Sequence, residues 1–177
     1  MTSELSCAVG VNQQLAFARA LIEIAKIKLN AESIPERQQL MALLDAAVKQ
    51  LRQALSFFIA ERALAVKSNL RVDTDTLMNL LADVREQIPE LPLLREVDQE
   101  LKRKDWLHDL ITAGQSSTNL SDALKIAEFT PDSKAGTAPA AGTILATTSK
   151  GPIETLEYWS QKIQAWVDFY RNTDIEE

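Results

Sequence analysis

The feature that most constrains this chain is the lack of glycine over more than half of its length. No glycine occurs from Val11 to Ala113, and only Pro35, Pro89 and Pro92 interrupt that stretch. Because glycine and proline mark most turns, so long a run favours long helices joined by short connections. Only 6% of the residues are aromatic, which argues against a turn-rich all-β fold. We therefore expect an all-α chain.

The longest predicted helix covers residues 35–66. Its apolar residues recur in alternating steps of four and three, which is typical of the contact seam of a helical bundle. The seam consists of Leu40, Leu44, Ala47, Leu51, Ala54 and Phe58. Ser33 or Asn30 can end or cap a helix at the break before residue 35. We expect Leu51 to lie at the centre of the core and to be nearly fully buried.

Four more helices are predicted, over residues 12–29, 77–88, 93–113 and 153–171. In the first, the buried stripe is Leu15, Ala18, Ile22, Ala25 and Leu29, and Leu21 and Ile24 widen it. Asp73 or Asp75 is the expected cap of the third helix. The prolines at 89 and 92 force the turn that follows it.

Residues 129–151 have no helical or strand period, and small residues, threonine and proline dominate them. We interpret this segment as a flexible linker or a long surface loop, preceded by one short helical turn within residues 119–128. The expected architecture is an antiparallel bundle of about five helices with a long flexible loop before the last helix. Residues 1–128 form the body, and the helix in residues 152–177 packs back on it, so that the whole is a single domain.

The charge balance limits the kinds of partner. The chain has 19 Lys and Arg against 25 Asp and Glu, a net charge of −6. Its densest basic cluster, Lys102 to Lys104, is flanked by acidic residues, so we interpret it as a solvated helix face and expect no nucleic-acid partner. The N-terminus has no basic region followed by a long apolar run, and no stretch of 18 apolar residues exists. We therefore predict a cytoplasmic location without membrane contact.

Few residues are suited to catalysis. The sequence has no glycine-rich phosphate loop, CxxC, HExxH or GxSxG motif. A single Cys and a single His cannot form an internal disulfide or a multi-histidine metal site. We predict no metal and no cofactor.

The one candidate catalytic pair is Arg103 and His108. Its spacing is similar to the Arg-x(4–6)-His signature of the HEPN helical ribonucleases. That resemblance implies a histidine for proton transfer and an arginine that steadies phosphate charge. HEPN sites usually carry Asn, Asp or His after the arginine, whereas Lys104 follows here. Five positions on one helix also separate two side chains by about 140°, so a working pair would need a helix break or a second protomer.

The last helix carries an aromatic face made of Trp159, Ile163, Trp166 and Tyr170, again at steps of three and four. Such a face is most often core. The alternative is that these four residues bind a protein partner in a groove, which holds only if they are not part of the core.

Four segments of the chain together resemble a known family. They are NQQLAFARA (12–20), ALSFFIAERA (54–63), DWLHDLITA (105–113) and LEYWSQKIQAWVDFYR (156–171). The family consists of short, all-helical, uncharacterised proteins of gamma-proteobacteria such as pseudomonads, with no assigned activity. The resemblance implies a helical architecture and a bacterial cytoplasmic setting, and it transfers no site residue.

From these observations we expect a non-enzymatic helical scaffold or adaptor that acts through protein–protein interaction. Its partner is another protein or, as a homodimer, a second copy of the chain. The alternative function is a HEPN-like ribonuclease that uses Arg103 and His108.

Overall fold

The computed structural model describes residues 3–29, 33–70, 76–113 and 151–173. Six helices and no strand lie within these ranges, which confirms the all-α fold class. The helices are α1 (Glu4–Ile27), α2 (Ile34–Val66), α3 (Leu77–Gln87), α4 (Pro92–Arg103), α5 (Trp106–Ala113) and α6 (Pro152–Thr173). None of the described helices is long and apolar enough to cross a membrane. The predictions for residues 119–128, for the loop up to residue 150 and for Asp73 and Asp75 fall outside the described residues.

The two N-terminal helices begin at serine caps. Ser33 starts α2 with a capping box, in which its side chain and that of Glu36 each bond the other residue's backbone N–H. Of the two predicted candidates, Ser33 is therefore the residue that caps α2. The prediction for α1 was wrong, because the helix begins eight residues earlier, where the Ser3 hydroxyl accepts a hydrogen bond from the N–H of Ser6. For α3 the N-cap is Thr76, whose side chain makes no capping hydrogen bond.

α1 and α2 form an antiparallel hairpin. Lys28, just past the end of α1, donates a hydrogen bond to Gln39 near the start of α2, and Gly10 lies opposite Phe57 at the other end. A Cβ atom on Gly10 would come within 2.9 Å of the Phe57 ring, so only glycine permits this close approach. α2 is the centre of the core, and Leu51 is fully buried as predicted.

α6 packs along α1 through three polar contacts that repeat every seven residues. The pairs are Asn12–Arg171 (3.1 Å), Arg19–Gln164 (2.8 Å) and Lys26–Glu157 (2.5 Å). Position numbers rise along α1 as they fall along α6, so the two helices are antiparallel. α2 and α6, which both run opposite to α1, are therefore parallel to each other. α6 also contacts α2 and α5.

The prediction of one helix over residues 93–113 was wrong. Lys104 adopts a left-handed conformation (φ 52°, ψ 41°), which ends α4, and α5 starts two residues later. On one continuous helix, Leu93 and Trp106 would point about 140° apart, because they are thirteen positions apart. Both side chains are buried. The break therefore lets two apolar stripes with different phases reach the same core.

Candidate functional site

The candidate catalytic pair lies at the corner between α4 and α5. Arg103 is the last residue of α4, its side chain is largely exposed, and its guanidinium donates a hydrogen bond to Glu100 at 2.7 Å. His108 lies in α5, where its Nδ1 is 3.4 Å from a carboxylate oxygen of Asp109. The break at Lys104 places the pair on different helices, but each side chain is engaged with an acidic neighbour. Within the described ranges, no group of three or more His, Cys, Asp or Glu residues is arranged to hold a metal ion.

The aromatic face of α6 lies mostly in the core. Trp159, Ile163 and Tyr170 are buried, and Trp166 is partly buried against Trp106 of α5, with ring centroids 5.1 Å apart in an edge-to-face arrangement. These residues therefore stabilise the fold. Trp159, Ile163 and Tyr170 are part of the core, so these three are not free to bind in the groove of a protein partner.

An ion pair joins α6 to the two N-terminal helices. Arg171 Nε and Nη2 donate hydrogen bonds to the two carboxylate oxygens of Glu61, both at 2.8 Å. The same guanidinium also donates to the side chain of Asn12 and to the carbonyl oxygen of Ala8. Glu61 is only 4% exposed. The hydrogen bonds to Glu61 raise the pKa of Arg171, so its charge persists.

The sequence analysis missed this pair, although a signal for it exists. The seam of α2 ends at Phe58, and its next position in the alternating pattern is Glu61. A carboxylate at a seam position requires a buried partner. The identity of that partner was not predictable, because Arg171 is 110 residues away in the chain.

Cys7 lies on the buried face of α1, close to this ion pair. Burial, together with the negative charges of Glu61 and Glu4, raises the pKa of the Cys7 thiol to about 11. The thiol therefore stays protonated at neutral pH, which makes it a poor nucleophile. Its role in this fold is to fill the core.

The exposed side of α1 is apolar, which the sequence analysis also missed. Large apolar side chains on this side are exposed by 75% (Leu5), 58% (Val9), 48% (Phe17), 44% (Ile24) and 84% (Ile27). Ile24 was wrongly predicted to widen the buried stripe, and Leu29 is 52% exposed instead of buried. Starting the helix at residue 12 removed the first two residues of the pattern and so concealed it.

These positions share one broad side of the helix, together with the exposed polar residues Ser6 and Gln13. With Ala16 and Ala20, which are also exposed, the five large residues fall within an arc of about 120° at 100° per residue. We call this set of seven residues the outer face of α1. Beside it, Ile24, Lys28, Gln39, Ala42 and Leu43 line an open apolar groove between α1 and α2, with a volume of about 310 Å³.

Comparison with known proteins adds a family but no site. The model of DUF6586, a family of unknown function, matches residues 6–177. The chain belongs to this family. Searches of the curated proteins and of the solved structures found no match. The match to DUF6586 bears out the resemblance to an uncharacterised family that the four sequence segments indicated.

DUF6586 is a family of unknown function, so membership identifies no functional residue. The candidate site of this chain is therefore argued from the chemistry of its own residues. Arg103 and His108 are chemically suited to bind and cleave a phosphodiester, but their side chains contact Glu100 and Asp109 and not each other. In the Glu61–Arg171 pair, the buried carboxylate of Glu61 already has its hydrogen-bond partner. Among the described surfaces, the outer face of α1 carries the most exposed large apolar side chains.

Proposed function

We propose that this DUF6586 chain is a non-enzymatic helical adaptor that works through protein–protein interaction at the outer face of α1. The supporting observation is that α1 is apolar on two opposite sides. One side, which includes Leu15 and Ile22, is buried in the core, and the other is exposed. A surface helix normally carries polar residues opposite its buried side, so a second apolar side indicates a second packing surface.

The distribution of exposed apolar residues strengthens this argument. Nine large hydrophobic side chains are exposed in the described parts of the chain, and five of them lie in α1. Single exposed hydrophobic residues are normal on a protein surface, but five on one side of a single helix are typical of an interaction site. We further propose that the protein acts in the bacterial cytoplasm, which its acidic composition favours.

A comparative capture experiment tests the proposed function. The bait is the full chain, either wild type or with Ala16→Glu, which places a charge at the middle of the outer face. The control is Ala82→Glu, the same change at an exposed position of α3. We expect a protein captured by the wild type and by Ala82→Glu to be lost with Ala16→Glu. If the three baits capture the same proteins, the outer face is not the working surface.

The alternative function, a HEPN-like ribonuclease, is favoured by one observation. The break at Lys104 removes the constraint that would keep Arg103 and His108 about 140° apart on one helix. A ribonuclease assay distinguishes this function from the adaptor, and Lys102→Ala is the control for the loss of a neighbouring positive charge. RNA cleavage that disappears in both Arg103→Ala and His108→Ala, but not in Lys102→Ala, would replace the adaptor proposal. We expect no cleavage above background from any of them.

A further inference from the structure

We infer that the cavity between α2 and the start of α3 binds phosphate, either free or as the phosphoryl group of a small molecule. The inference does not depend on the adaptor proposal, because it concerns none of the residues of the outer face of α1. The cavity has a volume of about 290 Å³. That volume is near the lower end of the range of small-molecule sites, so the ligand has to be small. The residues that line the cavity are Lys49, Arg52, Gln53, Ser56, Thr76 and Leu77.

Arg52 supplies a positive charge to this cavity. Its Nε is shielded from water and, within the part of the chain that the structure describes, has no hydrogen-bond partner. Burial alone lowers the pKa of its guanidinium, whereas an adjacent carboxylate would raise that pKa, as Glu61 does for Arg171. A buried donor without an acceptor has a free-energy cost, and an oxyanion in the cavity would remove it. The planar fork of N–H donors on a guanidinium also matches the geometry of an oxyanion.

The first turn of α3 adds backbone donors to the same cavity. Thr76 is the N-cap residue, but its side chain makes no capping hydrogen bond, and the first turn contains no acidic residue. The Thr76 hydroxyl therefore does not use the N–H groups of this turn, and no carboxylate of the turn offsets the positive end of the helix dipole. A helix N-terminus alone does not make a site. Here it lines the same cavity as Arg52, so donors from two helices converge on one place.

Ser56 provides a third donor, and the set of donors favours a tetrahedral oxyanion. Ser56 is polar but only 2% exposed, and its hydroxyl can donate a hydrogen bond. It lies four positions after Arg52, so both side chains project from the same face of α2. Lys49 lies on this face as well, but it is largely exposed and paired with Asp45, so it adds little net charge. A phosphate group has oxygen atoms in four directions and can accept from Arg52, Ser56 and α3 together, whereas a carboxylate has only two oxygens.

Nitrogen–proton NMR correlation spectra of the full chain test the inference at the residues concerned. The probe is inorganic phosphate, and chloride at matched ionic strength is the reference. We expect saturable shifts of the Arg52 Nε–H signal and of the backbone amides of Leu77, Met78 and Asn79. A phosphate group has few atoms, so we expect a dissociation constant of about 1 mM.

Glycerol phosphate as a second probe distinguishes the two sources of the phosphate group. Tighter binding of glycerol phosphate than of inorganic phosphate would show that the natural ligand is a phosphorylated small molecule. Equal or weaker binding would show that it is free phosphate. Either result supports the inference, provided that the same signals shift.

Two variants and one control assign the binding to the cavity. Arg52→Gln should weaken phosphate binding at least about tenfold, because it removes the charge and the fork of donors. Lys102→Gln, at an exposed position of α4, should leave the binding unchanged. Thr76→Asp separates binding from folding, since the new carboxylate caps α3 and repels an anion. It should therefore keep or raise the melting temperature and abolish the phosphate-dependent shifts.

Three results would overturn the inference. If neither probe gives a saturable shift up to about 20 mM, well above the expected dissociation constant, water is what satisfies Arg52. If the shifts persist in Arg52→Gln or in Thr76→Asp, the ion binds elsewhere on the surface. If phosphate binds only to the variant Asp73→Asn/Asp75→Asn, an aspartate of the segment that precedes α3 in the sequence is the counter-ion of Arg52, and the cavity takes no ligand.

Discussion

Arg171→Leu tests whether the ion pair at the junction of α1, α2 and α6 stabilises the fold. The substitution removes both hydrogen bonds to Glu61 and the contacts with Asn12 and Ala8, and it keeps an aliphatic side chain of moderate size. What remains is a carboxylate at a seam position of α2 that is almost entirely shielded from water. An unpaired buried charge is much less stable than a pair or than an apolar replacement.

The magnitude follows from the burial of each partner. Removing one member of a fully buried pair costs about 3–5 kcal/mol. The side chain of Arg171 is 29% exposed, against 6% for Glu61, so water reaches one end of the pair. We therefore expect the free energy of unfolding to fall by about 2–4 kcal/mol, after allowing for solvent screening. For a chain of this size, a loss of 3 kcal/mol lowers the melting temperature by about 6–12 °C.

Urea unfolding followed by circular dichroism measures this change, and Arg19→Leu is the matched control. Arg19 also joins α1 to α6, through Gln164, but its contact is exposed. Exposed polar contacts contribute little, so this control should change the free energy of unfolding by less than about 1 kcal/mol. The double variant Glu61→Leu/Arg171→Leu should recover most of the loss, because it leaves no unpaired charge.

Two results would refute this reasoning. If Arg171→Leu is no more destabilising than Arg19→Leu, the guanidinium is not what compensates the Glu61 carboxylate. If the double variant is less stable than Arg171→Leu alone, the cost lies in the packing around the pair and not in the charge left behind.

Three further predictions concern the core. Leu51→Ala should lower the free energy of unfolding by about 2–5 kcal/mol, since it opens a cavity at the centre of α2. A change below about 0.5 kcal/mol in urea unfolding would show that the core lies elsewhere. Gly10→Ala should destabilise the protein by about 1–3 kcal/mol despite the better helix propensity of alanine, and Phe57→Leu should rescue it in a thermal melt. Burial raises the thiol pKa of Cys7 from 9.0 to about 11. The protonated thiol therefore makes its full contribution to the free energy of unfolding below pH 9, and this contribution is lost as the pH rises from 9 to 11. That loss is about 2–3 kcal/mol, and Cys7→Ala should make urea unfolding correspondingly less pH-dependent over this window.

The elements that the sequence predicted best are those whose signal is local. The α2 seam, its capping serine and the break before Pro92 each depend on residues a few positions apart, and all three agree with the structure. The break at Lys104 was missed, although the apolar stripes on its two sides differ in phase. A period fitted over residues 93–103 and 106–113 separately would have shown that difference.

The parts of the site that the sequence could not predict depend on distant residues. Nothing near Glu61 in the chain indicates that Arg171 is its partner. The outer face of α1 was missed for a different reason. Periodicity identified the buried stripe of Leu15 and Ile22 correctly, but the helix was predicted to begin at residue 12, which left out Leu5 and Val9. Ile24 was then assigned to the buried stripe, so the exposed side was not recognised as apolar.

Polar and steric contacts, and not burial alone, fix how α1 is rotated in the bundle. Turning α1 about its axis would bring the exposed side, which includes the polar residues Ser6 and Gln13, into the core, so burial favours the observed orientation. The contacts of Asn12, Arg19 and Lys26 with α6 repeat every seven residues along one side of α1, and the close approach of Gly10 to Phe57 marks another side. Each of these contacts would be lost if the helix were turned. These contacts therefore add to burial in favouring the orientation in which the second apolar side of α1 faces outward.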